Sequence, residues 1–336
     1  MKIFVTGGCG FIGSNFVRFL LRERADAQVT NFDALTYAGN LENLAGIEEH
    51  PRYRFVQGSI VDRAAVDAAL KDGADIVYNF AAESHVDRSL YEPQTFLDTN
   101  VKGTSTLLEA AMKAKVKRFV QVSTDEVYGS LGKDGVFTET TSIKPSSPYS
   151  AAKAAADLWV LAYHHTFGAD VVVTRSSNNY GPYQFPEKLI PLFISNALEG
   201  KPLPVYGDGN QVRDWLYVED NCRGIEMCGT KGKAGEVYNI GGKCERENLA
   251  VTKALLKAVG KPESLIKYVA DRPGHDRRYA LNIAKIEKEL GWSPKVTFEE
   301  GLPATVKWYL EHRDWWERVK SGAYREYYKQ NYGKRL

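Results

Sequence analysis

Short apolar runs punctuate the first third of the chain: Lys2-Ile3-Phe4-Val5, Gln28-Val29-Thr30-Asn31-Phe32, Tyr53-Arg54-Phe55-Val56, Asp75-Ile76-Val77-Tyr78-Asn79-Phe80 and Arg118-Phe119-Val120-Gln121-Val122. Between them, apolar residues recur at three- and four-residue spacing, the period of a helix buried along one face. One such stretch runs to about Arg24, and another, Thr95 to Lys115, carries Phe96, Val101, Leu107, Leu108 and Ala111. Asn100 lies inside the second; a mid-helix Asn competes for backbone hydrogen bonds, so a bend is expected there. Alternating strands and helices predict an α/β fold with a doubly wound parallel sheet. After Arg175 the pattern changes. Residues from Asn178 to about Lys233 read as proline-broken helices, and Val237 to Gly242 as a strand returning to the sheet. The expected division is a dinucleotide domain over 1–177, with the returning strand near 236–242, and a smaller mixed domain over 178–235 and 243–330. Trp292, Trp308, Trp315 and Trp316 read as packing anchors, and Tyr324 to Tyr328 as part of a surface-docked helix.

The first strand leads into Thr6-Gly7-Gly8-Cys9-Gly10-Phe11-Ile12-Gly13 and then a helix. Glycines in such a turn permit positive φ and close approach of a pyrophosphate, and the helix N-terminus offers free N–H groups to the anion. Gly7, Gly10 and Gly13 are spaced G-x-x-G-x-x-G, slightly different from G-x-G-x-x-G, but the physics is the same. The second strand ends at Asp33, twenty residues after Gly13, where a carboxylate accepts hydrogen bonds from an adenosine ribose. An acid there repels a 2′-phosphate, so NAD is favoured over NADP. The fold is therefore read as Rossmann-type. Ala34, Leu35 and Thr36 open a polar loop expected to close over the adenosine. Ser59 and Ile60 follow the third strand and are placed beside the adenine. Ala81 and Ala82 follow the fourth, where small side chains let backbone approach a flat ligand. His85, next to Asp87 and Arg88, reads as a hydrogen-bonded structural residue.

The fifth strand ends in Ser123-Thr124-Asp125-Glu126-Val127-Tyr128-Gly129, a hydroxyl followed by two carboxylates. In an open α/β sheet, ligands bind at the carboxyl ends of strands. Further on, Ser147-Pro148 reads as an N-cap and first-turn proline. The helix they start carries Tyr149 and Lys153 on one face. A lysine ammonium beside a phenol favours phenolate, which makes the tyrosine a general base for an alcohol.

Bulk properties narrow the partners. The 336 residues can bury a sizeable core, with 43% hydrophobic and 26% charged residues. A net charge of +2 without a basic block gives no support to nucleic acid. The four cysteines form no C-x-x-C pair, so neither structural zinc nor a disulfide framework is expected, and no other metal. No apolar run reaches the roughly 18 residues that a membrane helix needs, and no apolar leader precedes the first strand. A cytoplasmic protein is expected.

Gly7, Gly10, Gly13, Asp33, Thr124, Tyr149 and Lys153 together resemble the extended short-chain dehydrogenase/reductase family. Asp125-Glu126 with Val127-Tyr128-Gly129 is similar to the dTDP-glucose 4,6-dehydratases within it. So are Ala81 to Ser89, Ser177 to Pro182, Pro186 to Pro191, Tyr206 to Gly209, Val212 to Trp215 and Asp271 to Tyr279. The 4-epimerases of the family typically lack the acid pair, and the GDP-mannose dehydratases usually keep only the Glu. Small departures are Cys9, Asn221 and Cys244 to Glu247.

The resemblance implies an NAD-dependent hydro-lyase. It would turn dTDP-glucose into dTDP-4-keto-6-deoxyglucose for deoxysugar synthesis, rhamnose being one example. It assigns Tyr149 as base at O4, Thr124 as its hydrogen-bonding partner and Lys153 as the cation that orients the ribose. Glu126 becomes the base at C5 and Asp125 the acid at O6. It adds Phe11, Ile12, Thr99 and Asn179 on the cofactor side. For the nucleotide sugar it implies Ser84, Asn178, Lys188, Leu189, Pro204, Tyr206, Arg213, Asn248, Arg272, His275 and Tyr279. A homodimer through the helices near 95–115 and 149–167 is implied as well. A 4-epimerase would not need Asp125 and Glu126, and a non-catalytic NAD-binding regulator would be expected to lose Tyr149, Lys153 or the acid pair.

Overall fold

The structure, a computed structural model, describes residues 1–320. Each predicted apolar run becomes a strand: β1 (Lys2–Thr6), β2 (Gln28–Asp33), β3 (Tyr53–Gln57), β4 (Ile76–Asn79) and β5 (Arg118–Thr124). Between them lie α1 (Phe11–Glu23), α2 (Arg63–Ala69), α3 (Val86–Tyr91), α4 (Pro93–Phe96) and α5 (Thr104–Lys113). Then follow α6 (Pro148–Phe167), β6 (Val171–Ser176), β7 (Asn178–Tyr180), α7 (Leu189–Leu198), β8 (Leu203–Tyr206), β9 (Val212–Tyr217), α8 (Val218–Lys231) and β10 (Glu236–Ile240). The described chain closes with β11 (Glu245–Glu247), α9 (Asn248–Val259), β12 (Ile266–Val269), α10 (Ala284–Leu290), α11 (Phe298–Glu311) and α12 (Arg313–Val319). The aromatic stretch Tyr324 to Tyr328 lies outside the described residues.

Seven strands form one parallel sheet in the order β10-β6-β5-β4-β1-β2-β3. The chain reverses direction between β1 and β4, the place where doubly wound sheets leave a crevice. The expected returning strand is β10, paired parallel to β6. Beside the large sheet lie a mixed three-stranded sheet, β11-β9-β7, and a two-stranded one, β12-β8.

A parallel sheet must be covered on both faces. α2, α5 and α6 supply one cover, with Val66, Leu107, Leu108, Ala111 and Val160 packed on Phe4, Val77, Phe119 and Val173. The other cover is α1 with α8 and α10, through Phe16, Leu20, Cys222, Ile225, Cys228 and Ile286. Here the packing departs from the expected division. α8 falls in the segment 178–235, and α10 in 243–330, yet both seal the large sheet. The reason is local: at Gly229 of α8 a Cβ would stand 2.1 Å from the Tyr78 hydroxyl of β4. A separate second core gathers α7, α9, α11 and α12 around Ile190, Phe193, Leu255, Phe298, Tyr309, Trp315 and Trp316. Trp315 and Trp316 anchor this core, Trp308 packs partly buried against it, and Trp292 anchors the first.

Asn100 does more than bend its helix. The segment Leu97–Gly103 winds as a π-helix between α4 and α5. The Asn100 side chain, which is buried, pairs with the backbone of Glu83 in the loop after β4. It accepts from Glu83 N at 2.8 Å and donates to Glu83 O at 2.9 Å. π-bulges of this kind often mark functional sites, and this one brings Thr99 to the cleft described below. Replacing Asn100 by Leu removes both bonds. Urea unfolding of N100L is expected to show a loss of about 2–3 kcal/mol, the cost of stranding polar groups in the interior.

Candidate active site

The glycine turn is built by contact as much as by torsion. Gly7 has φ +69°, and a Cβ there would lie 2.7 Å from Ala81 N. At Gly13 a Cβ would meet Gly7 O at 2.2 Å, and at Gly8, which the glycine spacing did not single out, Asn31 Oδ1 at 2.2 Å. Gly10 differs. Its Cβ would meet only Gly7 O, at 3.4 Å. Packing within the chain therefore does not demand glycine at position 10, which fits approach by a ligand at the head of α1. Asp33 is buried at the end of β2 and accepts from Cys9 N at 2.9 Å and Leu35 N at 2.8 Å. A carboxylate has about four acceptor positions, so capacity remains for a ribose. Burial raises its pKa above the ordinary carboxylate value, against the two backbone bonds.

A cleft of about 310 Å³ runs along these strand ends. Gly7, Gly10, Phe11, Ile12, Gly13, Asp33, Ala34, Thr36, Ser59, Ile60, Ala81, Ala82, Ser84, Thr99 and Asn179 line it, as do Thr124, Asp125, Glu126, Tyr149 and Lys153 at its inner end. Leu35 is absent from this lining. At φ +53° its backbone turns away, and its side chain packs against the first core. The polar groups in this cleft suit a dinucleotide: buried Asn179 Oδ1 has no hydrogen-bond partner among the described residues.

The acid pair sits on a single turn. Thr124 ends β5 and caps the 3-10 helix Asp125–Tyr128, its Oγ1 accepting from Glu126 N at 3.3 Å. Gly129 ends the turn at φ +85°, where a Cβ would stand 2.3 Å from Lys144 O. Asp125 is only 2% exposed, and its Oδ2 has no hydrogen-bond partner. Burial, then the charge of Glu126, pushes the Asp125 carboxyl well above its usual range. Burial also raises Glu126, but Arg272, Lys188 and Arg213 pull it back. Two adjacent carboxyls in unequal surroundings favour one neutral and one ionised group.

Ser147 and Ser150 form the N-terminal capping box of α6, with Pro148 in its first turn. This sets Tyr149 and Lys153 against the end of β5. Their relation differs from the one expected. Burial, then Glu126, raises the Tyr149 phenol; Thr124 is the group that opposes this. The Lys153 ammonium donates instead to Val122 O at 2.5 Å, and burial pushes it down to about 8. The hydrogen bond of Lys153 thus runs to the strand carbonyl and not to the Tyr149 phenol.

A second cavity, about 170 Å³, opens between the two cores. It is lined by Asn178, Lys188, Leu189, Pro204, Tyr206, Arg213, Asn248, Arg272, His275 and Tyr279, the whole predicted substrate set except Ser84 and Thr124, which line the first cleft. Glu126, Asn178 and Lys188 line both spaces, so Glu126 stands where they meet, and its neighbour Asp125 faces the first cleft. Arg272 pairs with Asp87 at 3.1 Å, and Tyr206 donates to Asp87 at 3.0 Å. Arg213 stacks 4.4 Å from the Tyr279 ring centroid. His275 lies 2.6 Å from Asp271, yet burial and the nearby arginines pull its pKa down to about 4. The Oδ1 atoms of Asn178 and Asn248 are buried without partners. His85 caps α3, its Nδ1 accepting from Arg88 N at 3.4 Å, in keeping with a structural role. It nonetheless borders the second cavity.

Sequence reading missed several lining residues. Gln184 and Phe185 enter the first cleft, and Asp87, Glu187 and Trp215 the second. Glu187 joins Tyr37 at 3.2 Å and Arg88 at 3.3 Å. Periodicity carries no trace of such contacts, because the partners are about 100 to 150 residues apart.

Comparison with known proteins agrees with this architecture. Residues 4–305 match the family described as GDP-mannose 4,6 dehydratase. A dTDP-glucose 4,6-dehydratase of Xanthomonas campestris pv. campestris is 54% identical over 340 aligned positions, covering 96% of each chain. The crystal structure of DesIV, a dTDP-glucose 4,6-dehydratase from Streptomyces venezuelae with NAD and TYD bound, is 52% identical with a TM-score of 0.93; it covers 95% of this chain and 100% of that one. The UDP-glucose 4-epimerase of Thermus thermophilus in complex with NAD is more distant, 31% identical with a TM-score of 0.86, over 93% of this chain and 100% of that one. The chain therefore belongs to the nucleotide-sugar 4,6-dehydratase family, in the branch of the dTDP-glucose 4,6-dehydratases.

Proposed function

We propose that this protein is an NAD-dependent enzyme that dehydrates dTDP-glucose to dTDP-4-keto-6-deoxyglucose, an intermediate for deoxysugars such as rhamnose. The observation that carries the reading is the placement of Glu126 where the two cavities meet, with Asp125 beside it in the first cleft. A bond broken there is within reach of both a dinucleotide in the first cleft and a sugar held from the second. NAD suits the first cleft because Gly10 leaves room at the head of α1 and Asp33 keeps acceptor capacity at the ribose position.

When bound, the dinucleotide supplies the acceptor for hydride from C4 and the donor that later returns it to C6. The side chains manage the protons. Tyr149 takes the proton of the O4 hydroxyl, and Thr124 hydrogen-bonds the same oxygen. Its hydroxyl is also the group that offsets the burial of the phenol. Lys153 places a cation beside the dinucleotide ribose. Once C4 is a ketone, the C5 proton lies α to a carbonyl and becomes acidic. Glu126, favoured as the ionised form by Arg272, Lys188 and Arg213, removes it and returns it to C5 once hydride has reached C6. Asp125, held neutral by burial and by Glu126, gives its proton to the leaving C6 hydroxyl. Lys188, Arg213 and Arg272 supply cations for the diphosphate, and Asn178 and Asn248 supply amides. A 4-epimerase has no step that calls for the acid pair.

Two helices carry the apolar surface proposed to pair two copies. Leu158 and Trp159 of α6 are 55% and 44% exposed, and Leu97, Met112 and Phe167 stand beside them in the fold or along the same helices as exposed apolar groups. No helix among the described residues is long and apolar enough to cross a membrane, and a cytoplasmic enzyme is proposed.

The assay is incubation with dTDP-, UDP- and GDP-hexoses, followed by detection of the 4-keto product through its chromophore in alkali. Product from dTDP-glucose is expected, and none from any of them would remove the reading. D125N should slow elimination roughly 10²- to 10⁴-fold, the usual worth of one acid–base step, while reduced dinucleotide still forms. Turnover should follow a bell-shaped pH dependence. It rises as Glu126 ionises, at a pH above the ordinary carboxylate value, and falls as Asp125 loses its proton at higher pH. In D125N the falling limb assigned to Asp125 should vanish. The double variant L158E/W159E is expected to sediment as a monomer where the unmutated chain sediments as a dimer.

A further inference from the structure

Helix α6 carries an acid that none of these steps uses. Asp157 lies one turn beyond Lys153, on the same helix face. It is wholly buried, and its Oδ2 accepts from Arg175 Nε at 2.9 Å, with Arg175 buried as well. Arg175 sits on β6 directly across from Ser123 of β5, and its guanidinium rests 4.8 Å from the Tyr128 ring centroid. Lys153 is tied to the carbonyl of Val122, the residue before Ser123. Two anchor points on neighbouring strands therefore hold the ammonium and the carboxylate on one buried helix face, without a direct ion pair between them. Asp157 Oδ1 and Ser123 Oγ are both buried without a well-formed hydrogen bond, although the hydroxyl stands near enough to favour the carboxylate.

The charges explain why an acid belongs here. Without Asp157, Lys153 and Arg175 would be two buried cations with nothing between them. A buried charge that loses its partner is expensive. The other charged or titratable groups on elements packed against this part of α6 are Tyr149 on the helix itself, Asp125, Glu126 and Tyr128 on the 3-10 turn, and Arg175 on β6. Burial works against the Lys153 proton, and Asp157 is the group that acts to keep it.

We propose that Asp157 is a positioning residue for the reaction: clamped by Arg175, its carboxylate acts across the buried helix face to keep the Lys153 ammonium charged in the cleft, where the Val122 carbonyl fixes its place. The inference rests on the role proposed for Lys153. D157N tests it, since the amide keeps an oxygen for Arg175 and removes only the charge. Formation of reduced dinucleotide on addition of dTDP-glucose, the step before elimination, is followed across pH. The loss in D157N should be about threefold near pH 6.5 and at least about tenfold near pH 8.5, because the ammonium gives up its proton earlier. D157E should keep the unmutated pH profile. The dissociation constant of NAD provides a second readout in a cycle with K153M. D157N should weaken binding several-fold alone and change it less than about twofold in the K153M background. A loss equal at every pH, or equally large with Lys153 gone, overturns the proposal. Should D157N fail to fold, D157N/R175Q removes one of the two buried cations as well and carries the same comparison. K153M with full activity would instead remove the role of Lys153, and with it the parent reading of that residue.

Discussion

Covering a parallel sheet on both faces leaves its polar backbone and side chains one outlet, the carboxyl ends of the strands. The rest of this structure follows from that constraint. The ends of β1, β2, β4 and β5 deliver Gly7, Asp33, Ala81 and Thr124 to one cleft, and the residues after β3 add Ser59 and Ile60. Under the cleft a buried polar chain ties the strands together: Thr6 donates to Asn79 at 2.6 Å, and Asn79 donates to Gln121 at 2.8 Å. The cover has to be tight for this to hold. At Gly7, Gly13 and Gly229 an added Cβ would stand closer than 3.0 Å to backbone or to a buried ring.

The same edge brings charge into a dry place. Asp125, Glu126, Lys153, Asp157 and Arg175 lie within two strands and one helix of each other. All except the partly buried Glu126 are almost fully buried. Water cannot screen them, so each sets the state of its neighbours. Glu126 helps keep Asp125 protonated, and Asp157 helps keep Lys153 protonated. The proposed chemistry draws on one neutral acid, one ionised base and one cation from this cluster. Among the described residues no group of three or more His, Cys, Asp or Glu side chains is placed to hold a metal ion.

The second core closes this edge from the other side. It lets α7 and the 271–279 segment face the sheet, so that Lys188 and Arg272 approach Glu126 from the opposite wall. In a bare doubly wound sheet the acid pair would face solvent, and both carboxyls would ionise together near their ordinary values.

Local signals in the sequence were enough to determine β1 to β5, the returning β10, the glycine turn and the capped helix, but not β7, β8 and β9, which lie in a stretch that reads as proline-broken helices and pair only with distant strands. Each of the former depends on neighbours within a few residues. Thr124 beside Asp125 and Glu126, and Tyr149 four residues before Lys153, were legible for the same reason. Tertiary structure alone decided the rest. It assigned α8 to the large sheet through the contact of Gly229 with Tyr78, far away in the chain. It turned Leu35 from the cleft into the core, and made Asn100 the partner of Glu83 within a π-turn. It also bound Lys153 to a strand carbonyl where helix spacing had suggested a phenol. Burial and desolvation depend on everything packed around a group, and that is where local pattern stops being informative.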